Sequence, residues 1–442
     1  MDTARVKSFG YITFYREYSM INDQQKIKIA CVSMTHLGLI YAAAFTNKGF
    51  NVIGYDDNSL LVSQLQQSHF PVNEPQLKEL VANCSIKLQF TDDLKQLSTC
   101  NLVFIACDVP TDTDGNSNLQ VIDKLIEKVI PVLSDRACLI LLSQVPPGYT
   151  RKILFDTSRL FYQVETLIFG RAVERALYPE RYIVGAKDPN AELPPDYLAL
   201  LSSFNCPILK MRYESAELAK ISINMFLVSS VTTTNMIAEI CENIGADWEE
   251  IAPALKLDKR IGQHAYLTPG LGISGGNLER DLNTIIKIGQ AKDTDVGVVN
   301  SWLKNSKYRR DWVLRCLKEH LFKYIKNPEI CVLGLAYKPD THSIKNSPSI
   351  ALLEQLKGYR IKAHDPVVKN IDLEHVTQES ESMYAMKAAD VIIIMTPWME
   401  YKQLSVEILQ QQMQGNTIID PFRVLNIDAQ HREQINYFSL GI

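Results

Sequence analysis

The sequence predicts an α/β protein: two doubly wound domains joined by a long central helix and a small helical domain. Three observations predict it. Short β-like runs alternate with helical stretches from residue 26 to about 207. Residues 213–243 form the longest stretch without Gly or Pro, with apolar residues at helical spacing. Strand–loop–helix alternation then resumes from about residue 326 and runs to the end. A chain of 442 residues has room for two or three such domains.

Composition narrows the function classes. Net charge is −4 with a pI near 6.1, and no Lys/Arg block stands out, so nucleic acid is not an expected partner. Nine cysteines are scattered singly from Cys31 to Cys331, with no CxxC pair and no His/Cys cluster. That pattern points to reduced thiols in a cytoplasmic protein, without disulfides or a metal site. Residues 1–25 hold no apolar run suited to a signal peptide or membrane span and read as an N-terminal extension; Met20 is an alternative start.

The first domain is expected over 26–207. KIKIACVSM (26–34) reads as a strand, LGLIYAAAFTNKGF as a helix and NVIGYDD as a second strand. This is the outline of a dinucleotide-binding βαβ unit, with Asp56 where a carboxylate would meet a ribose. A G-x-G-x-x-G fingerprint laid over the turn falls on Ser33, Thr35 and Gly38, so only the third glycine is kept. A side chain at the second position stands where backbone should approach a pyrophosphate. Further alternations follow in NLVFIACDVPTDTDG, a helix over 119–133 and ACLILLSQVPPGYT. Thr111 and the 143–150 turn lie at carboxyl ends of strands, where an open parallel sheet forms its ligand crevice. RYIVGA reads as the strand that closes the domain near 207.

The helical domain is expected over 208–310. In the 213–243 helix Lys220 and Asn224 are one turn apart on one face, able to reach one ligand together, and the helix is long enough to build a dimer core. DWEEIAPALKL is a shorter helix. The loop after it carries Gly270, Gly272, Gly275 and Gly276, which permit tight turns and close approach to a ligand. Asn277 then opens a helix with acidic residues near its start. Lys304–Asp311 reads as a basic, turn-like patch before the third segment, 311–442. There EICVLGLAYKPDTHSIKNSPSIALLEQL repeats the strand–loop–helix pattern, and IKAHDP, ADVIIIMTPW and NTIIDPF supply more strands.

In this order VNEPQLKEL, VPTDTDG, SQVPPGYT, YPERYIVGA, AELAKISINMF, DKRIG, PGLGISGG and LAYKPDT resemble the UDP-glucose/GDP-mannose (nucleotide-sugar) dehydrogenase family. The resemblance implies a Rossmann-like NAD-binding domain, a central dimerising helix and a C-terminal domain for the UDP moiety. It also implies NAD-dependent oxidation at the sugar C6, from alcohol through aldehyde to carboxylate. The second step uses a loop cysteine whose thiolate adds to the aldehyde, so that hydride loss gives a thioester that water opens. The family's G-G-S-C-[FL]-P-K-D is S-G-G-N-L-E-R-D here, and the cysteine position is Asn277.

Other roles carry over position by position. Lys220 and Asn224 match the pair that holds the developing oxyanion. Asp281 and Thr111 match residues that place the attacking water, and Glu165 matches a Glu of the substrate wall. Gly272 and Gly275 belong to the substrate loop, and Arg260 matches an Arg that reaches the substrate from a partner subunit. Lys338 and Asp340 match the sugar-nucleotide loop, Lys345 stands where an Arg contacts the cofactor, and Arg423 falls near a terminal Arg. Departures gather on the cofactor side: Ser33, Thr35, Asp108, Val109, Gln144 and Lys345 all differ from the family pattern. Asp108 would put negative charge near a pyrophosphate.

Three readings follow. The protein is an atypical UDP-hexose oxidoreductase working without covalent catalysis, since hydride transfer from an alcohol needs a base and a hydride acceptor but no thiol. Or it is an ordinary four-electron dehydrogenase with another nucleophile. Or it is a non-catalytic sugar-nucleotide binding or regulatory protein. In each, the partner is a UDP-sugar and the assembly a homodimer in the cytoplasm, not at a membrane.

Overall fold

In the computed structural model, residues 26–84, 86–112, 117–427 and 429–442 are described, so the 1–25 extension lies outside the described residues. The chain divides into two units, meeting in sequence between Ser222 and Ile223.

The first unit is built on strands β1 (Lys28–Val32), β2 (Asn51–Tyr55), β3 (Leu88–Thr91), β4 (Leu102–Ile105), β5 (Cys138–Leu141), β6 (Leu160–Gln163), β7 (Tyr182–Ala186) and β8 (Ile208–Arg212). They form one sheet in the order β3-β2-β1-β4-β5-β6-β7-β8. All neighbours are parallel except β6 and β7. β4 (LVFI) and β5 (CLIL) are buried along their whole length, which explains why they read as unbroken apolar runs rather than alternating ones. The sheet extends one strand beyond the RYIVGA segment expected to close it. β8 adds parallel to β7 and the unit continues to Ser222, past the expected limit of 207. Its sequence, ILKMR, is mostly exposed or half-buried, as suits an edge strand, and so lacks the apolar signature of the others.

Helix α1 (His36–Asn47) follows β1 and is buried at every residue but the last. Gly38 is required there: a Cβ would collide with the Ser33 carbonyl oxygen, which holds the helix close to the strand end.

The second unit has strands β9 (Glu329–Leu333), β10 (Arg360–His364), β11 (Val376–Gln378), β12 (Val391–Ile394), β13 (Thr417–Ile419) and β14 (Asn436–Phe438). Their order is β11-β10-β9-β12-β13-β14, all parallel. Counted from its own first strand this is 3-2-1-4-5-6, the arrangement of the first six strands of the other sheet. Each sheet therefore has a switch point beside its first strand, between β1 and β4 and between β9 and β12, where ligands of such sheets bind.

Helix α2 (Tyr213–Ile244) ends one residue beyond the stretch expected from the sequence; residues 213–222 belong to the first unit and the rest to the second. It is followed by α3 (Trp248–Leu257), α4 (Asn277–Ala291), α5 (Gly297–Arg310) and α6 (Trp312–His320). The basic segment from Lys304, expected as a turn, is instead the last two turns of α5. Lys307, Arg309 and Arg310 complement the negative end of that helix. Buried Arg309 pairs with Glu239 at 3.2 Å and Glu242 at 2.8 Å. Glu242 also accepts from Trp312 Nε1 and the Gly441 amide, tying α2, α5, α6 and the chain's last residues together.

Candidate functional site

Of the five residues predicted for the cofactor, Ser33, Thr35, Gly38 and Asp56 lie at or beside the β1–α1 turn, whereas Lys345 belongs to the second unit. Ser33 adopts a left-handed conformation (φ 76°), and its N–H donates to the Tyr55 carbonyl at 2.8 Å. Asp56, half-buried at the end of β2, accepts from the Met34 amide at 2.7 Å and from the Asn58 amide at 3.0 Å. Thr35 and Asp108, both in glycine positions of the family pattern, are joined to one another. The Thr35 hydroxyl oxygen accepts from the Asp108 amide at 3.1 Å and donates to the Ala106 carbonyl at 3.4 Å. The Asp108 carboxylate accepts from the Leu37 amide at 3.2 Å, in the first turn of α1. Asp56 at the end of β2 thus has both carboxylate oxygens on backbone amides, and the helix N–H at which a dinucleotide turn meets a pyrophosphate holds the chain's own carboxylate.

Elsewhere in the first unit, Lys220 Nζ is gripped by Glu165, at 2.6 Å from its carboxylate and 3.0 Å from its carbonyl oxygen. Both side chains are largely buried, so the cation is held at one point instead of sweeping through solvent. Thr111, half-buried, forms an isolated bridge with Ser117. The crevice turn is anchored by a residue not singled out from the sequence. Glu217, fully buried one turn before Lys220, accepts the Gly148 amide at 2.5 Å and the Thr150 amide at 2.8 Å. Burial pushes its carboxyl above the ordinary range, against the pull of those amides. His36, stacked on Phe169 with centroids 4.2 Å apart, meets buried Glu74 at 3.1 Å. Glu74 also accepts the Gly170 and Ala172 amides, so it braces the loop after Glu165. Its position in VNEP was the available signal.

In the second unit the glycine loop folds back on its own supports. A Cβ at Gly272 (φ 80°) would collide with the Ser306 carbonyl, and the Ile273 amide donates to Ser306 Oγ at 2.7 Å. A Cβ at Gly275 (φ 77°) would stand 3.3 Å from the Tyr337 ring. Asn277 is the exposed first residue of α4. One turn on, buried Asp281 accepts from Asn224 Nδ2 at 2.5 Å and pairs with buried Arg280 at 3.2 Å. The β9–helix loop lies against the same segment. The Gly275 amide donates to the Lys345 carbonyl at 3.2 Å, and Asn346 Nδ2 donates to the Gly275 carbonyl at 2.9 Å and to Glu279 at 2.6 Å. The Lys345 ammonium lies 3.2 Å from where a Cβ on Gly276 would be. Asp340 in this loop is left-handed (φ 61°) and exposed, and Lys338 Nζ stands 5.7 Å from the Tyr337 ring centroid.

Two predicted arginines are held by carboxylates of their own neighbourhood. Arg260 is exposed and pairs with Asp258 two residues away. Arg423 (φ 49°) is held by Asp247 at 2.7 Å and Glu249 at 2.6 Å, at the N-terminus of α3. No cysteine lies between Gly270 and Asp281. Seven of the nine cysteines are buried and Cys206 and Cys316 half-buried. Burial raises the thiols of Cys100, Cys107 and Cys138 to about 11 and that of Cys316 to about 12, away from the thiolate a nucleophile needs.

The chain matches three family models. Residues 27–201 match the NAD binding domain of the UDP-glucose/GDP-mannose dehydrogenase family, 214–307 its central domain and 331–427 its UDP binding domain. A UDP-glucose 6-dehydrogenase from Rickettsia conorii is 26% identical over 94% of this chain and 99% of its own length. One from Rhizobium meliloti is 27% identical over 94% and 99%. The structure of a UDP-glucose dehydrogenase from Pyrobaculum islandicum shares the fold, with a TM-score of 0.83 at 24% identity over 95% of this chain and 98% of that one. With the family's NAD-binding, central and UDP-binding domains in order along it, the chain belongs to the UDP-glucose/GDP-mannose dehydrogenase family of NAD-dependent oxidoreductases.

Proposed function

We propose that this protein binds a UDP-hexose and does not carry oxidation at the sugar C6 through to the carboxylate. One observation carries the reading. Asn277 heads α4 where the family's thiolate would stand, and a carboxamide cannot form the thiohemiacetal from which the second hydride leaves. The remaining residues suit a two-electron step. Lys220, fixed by Glu165, offers a cation to an alkoxide oxygen, and Asn224, on the same face of α2, offers an amide donor. NAD, the cofactor of the family's first domain, would supply the hydride acceptor. Lys338 and the loop around Asp340 suit the diphosphate of the UDP moiety.

The test is incubation of purified protein with UDP-glucose and NAD, followed by product analysis. UDP-glucuronate is not expected to accumulate; steady formation of the acid would sink the reading. The Asn277→Cys variant is expected to gain some acid formation. No gain would place the defect in the cofactor turn as well. That turn supports a second reading, a sugar-nucleotide binding protein without turnover, because Asp108 already sits on the α1 amide. UDP-sugar binding with no measurable NADH formation would select it.

The exposed apolar side chains of α2 favour a homodimer. Phe226, Met236, Ile240 and Ile244 are 78%, 49%, 48% and 70% exposed, large apolar side chains that a partner helix would cover. By length and composition alone α2 could also cross a membrane, with 33% of its most apolar window buried. The Glu242 contacts to Arg309, Trp312 and Gly441 favour a packed helix in a cytoplasmic dimer. Sedimentation should give twice the chain mass, and Phe226→Glu with Ile240→Glu should halve it.

A further inference from the structure

Two departures that meet at the β1–α1 turn, Thr35 from the turn itself and Asp108 from beyond β4, form one device. In a dinucleotide turn, glycines keep the helix N-terminus bare so that its amides can face a pyrophosphate. Here Thr35 takes a glycine position of that turn, and Asp108, three residues beyond β4, takes the glycine position of a separate family segment. They complement each other: the Thr35 hydroxyl receives the Asp108 amide, and the Asp108 carboxylate receives the Leu37 amide. The carboxylate thus brings its negative charge to the positive end of α1, where an anionic ligand would otherwise lie.

We propose that Asp108 is a latch that competes with the cofactor pyrophosphate for the N-terminus of α1, with Thr35 as the residue that positions it. Three features fit a displaceable latch and not a permanent structural bond. Asp108 is exposed, its hydrogen bond to Leu37 is a long 3.2 Å, and it makes no ion pair among the described residues. By contrast Asp56 is tied more firmly, by a 2.7 Å bond from the Met34 amide and a 3.0 Å bond from the Asn58 amide. Cofactor binding therefore requires the Asp108 side chain to leave the Leu37 amide, and its charge opposes the incoming diphosphate until it does. The inference rests on the cofactor half of the proposed function and is independent of the sugar-nucleotide half.

The experiment is calorimetric or fluorescence titration of NADH, with UDP-glucose titrated in parallel, into the full chain and three variants. Asp108→Gly removes both charge and acceptor and should tighten NADH binding about tenfold, the scale of one charge at a helix terminus together with relief of repulsion. Asp108→Asn keeps an acceptor without the charge and should give an intermediate gain. Thr35→Gly frees the carboxylate from its support and should tighten binding less than Asp108→Gly. Hydrogen exchange at the Leu37 amide should quicken in Asp108→Gly without a change in UDP-glucose affinity. NADH affinity that is unchanged, weakened or undetectable in both Asp108 variants overturns the latch. If UDP-glucose still binds normally in that case, the sugar-nucleotide reading stands. If it binds to none of the four proteins, that reading fails separately.

Discussion

The two sheets solve the same topological problem with the same residue type and then diverge. Each carries an aspartate at the end of its second strand, Asp56 after β2 and Asp365 after β10, that collects amides from the first turn. Asp365, 3% exposed, accepts from the Leu335 and Ala336 amides, the Trp398 indole and the Val367 and Val368 amides. Asp56, half-buried, accepts from two amides. In the first unit the turn runs straight into α1, so the helix terminus lies at the switch point and Asp108 covers it. In the second, residues 335–347 intervene before the helix Pro348–Gln355, and that loop carries Lys338 and Lys345. An anion site built on a helix terminus can be closed by one carboxylate. One built on a long cationic loop cannot be closed so simply.

The largest expected effect follows from the unequal aspartates. Asp365→Ala strips a buried acceptor from five donors and should destabilise the second unit by about 3 kcal/mol or more, since each buried unsatisfied donor costs about 1–3 kcal/mol. Asp56→Ala frees two partly exposed amides and should cost about 1 kcal/mol. All four tryptophans, 248, 302, 312 and 398, lie in the second unit, so in a denaturant series indole fluorescence reads that unit and far-ultraviolet circular dichroism, which reads both, adds the first. Equal losses for the two substitutions would show that the aspartates are equivalent and break the comparison.

A smaller effect tests the divergence of charge. Lys338→Ala should weaken UDP-glucose binding about tenfold, as expected for one charge-assisted contact to a diphosphate, and leave NADH affinity as it was. Loss of NADH binding with UDP-glucose unaffected would reverse the assignment of the two sheets.

Much of this was legible in the sequence, for reasons that differ by element. β1, β4 and β9 announce themselves because parallel strands covered on both faces need unbroken apolar runs. α2 is legible from length and spacing. The edge strand β8 and the end of α5 are not, because their stability comes from neighbours: β7 for the one, Glu239 and Glu242 for Arg309 in the other. Single substitutions such as Asn277 and Asp108 are visible at once as departures. That Thr35 and Asp108 compensate one another is invisible, since they lie 73 residues apart and meet only when β1 and β4 pair.

The smallest effect concerns the last position of each second strand, Tyr55 in β2 and His364 in β10. His364 is buried, its Nδ1 lies 3.0 Å from the Tyr401 hydroxyl, and burial holds its pKa below the ordinary 6.5, outweighing the nearby Glu400 and Asp365 carboxylates. In the unfolded chain it titrates at its ordinary value. As pH falls through 6.5 the unfolded chain therefore takes up a proton before the folded one does, and the second unit loses stability until the folded pKa is passed. Above 6.5 both states are neutral and the residue adds no slope. Indole fluorescence should show a denaturation midpoint that declines as pH drops below about 6.5. Replacing His364 by Gln should remove that part of the decline, and a slope unchanged by the substitution would assign it to other groups. At the matching place in the first unit Tyr55 ends β2, so no imidazole stands there.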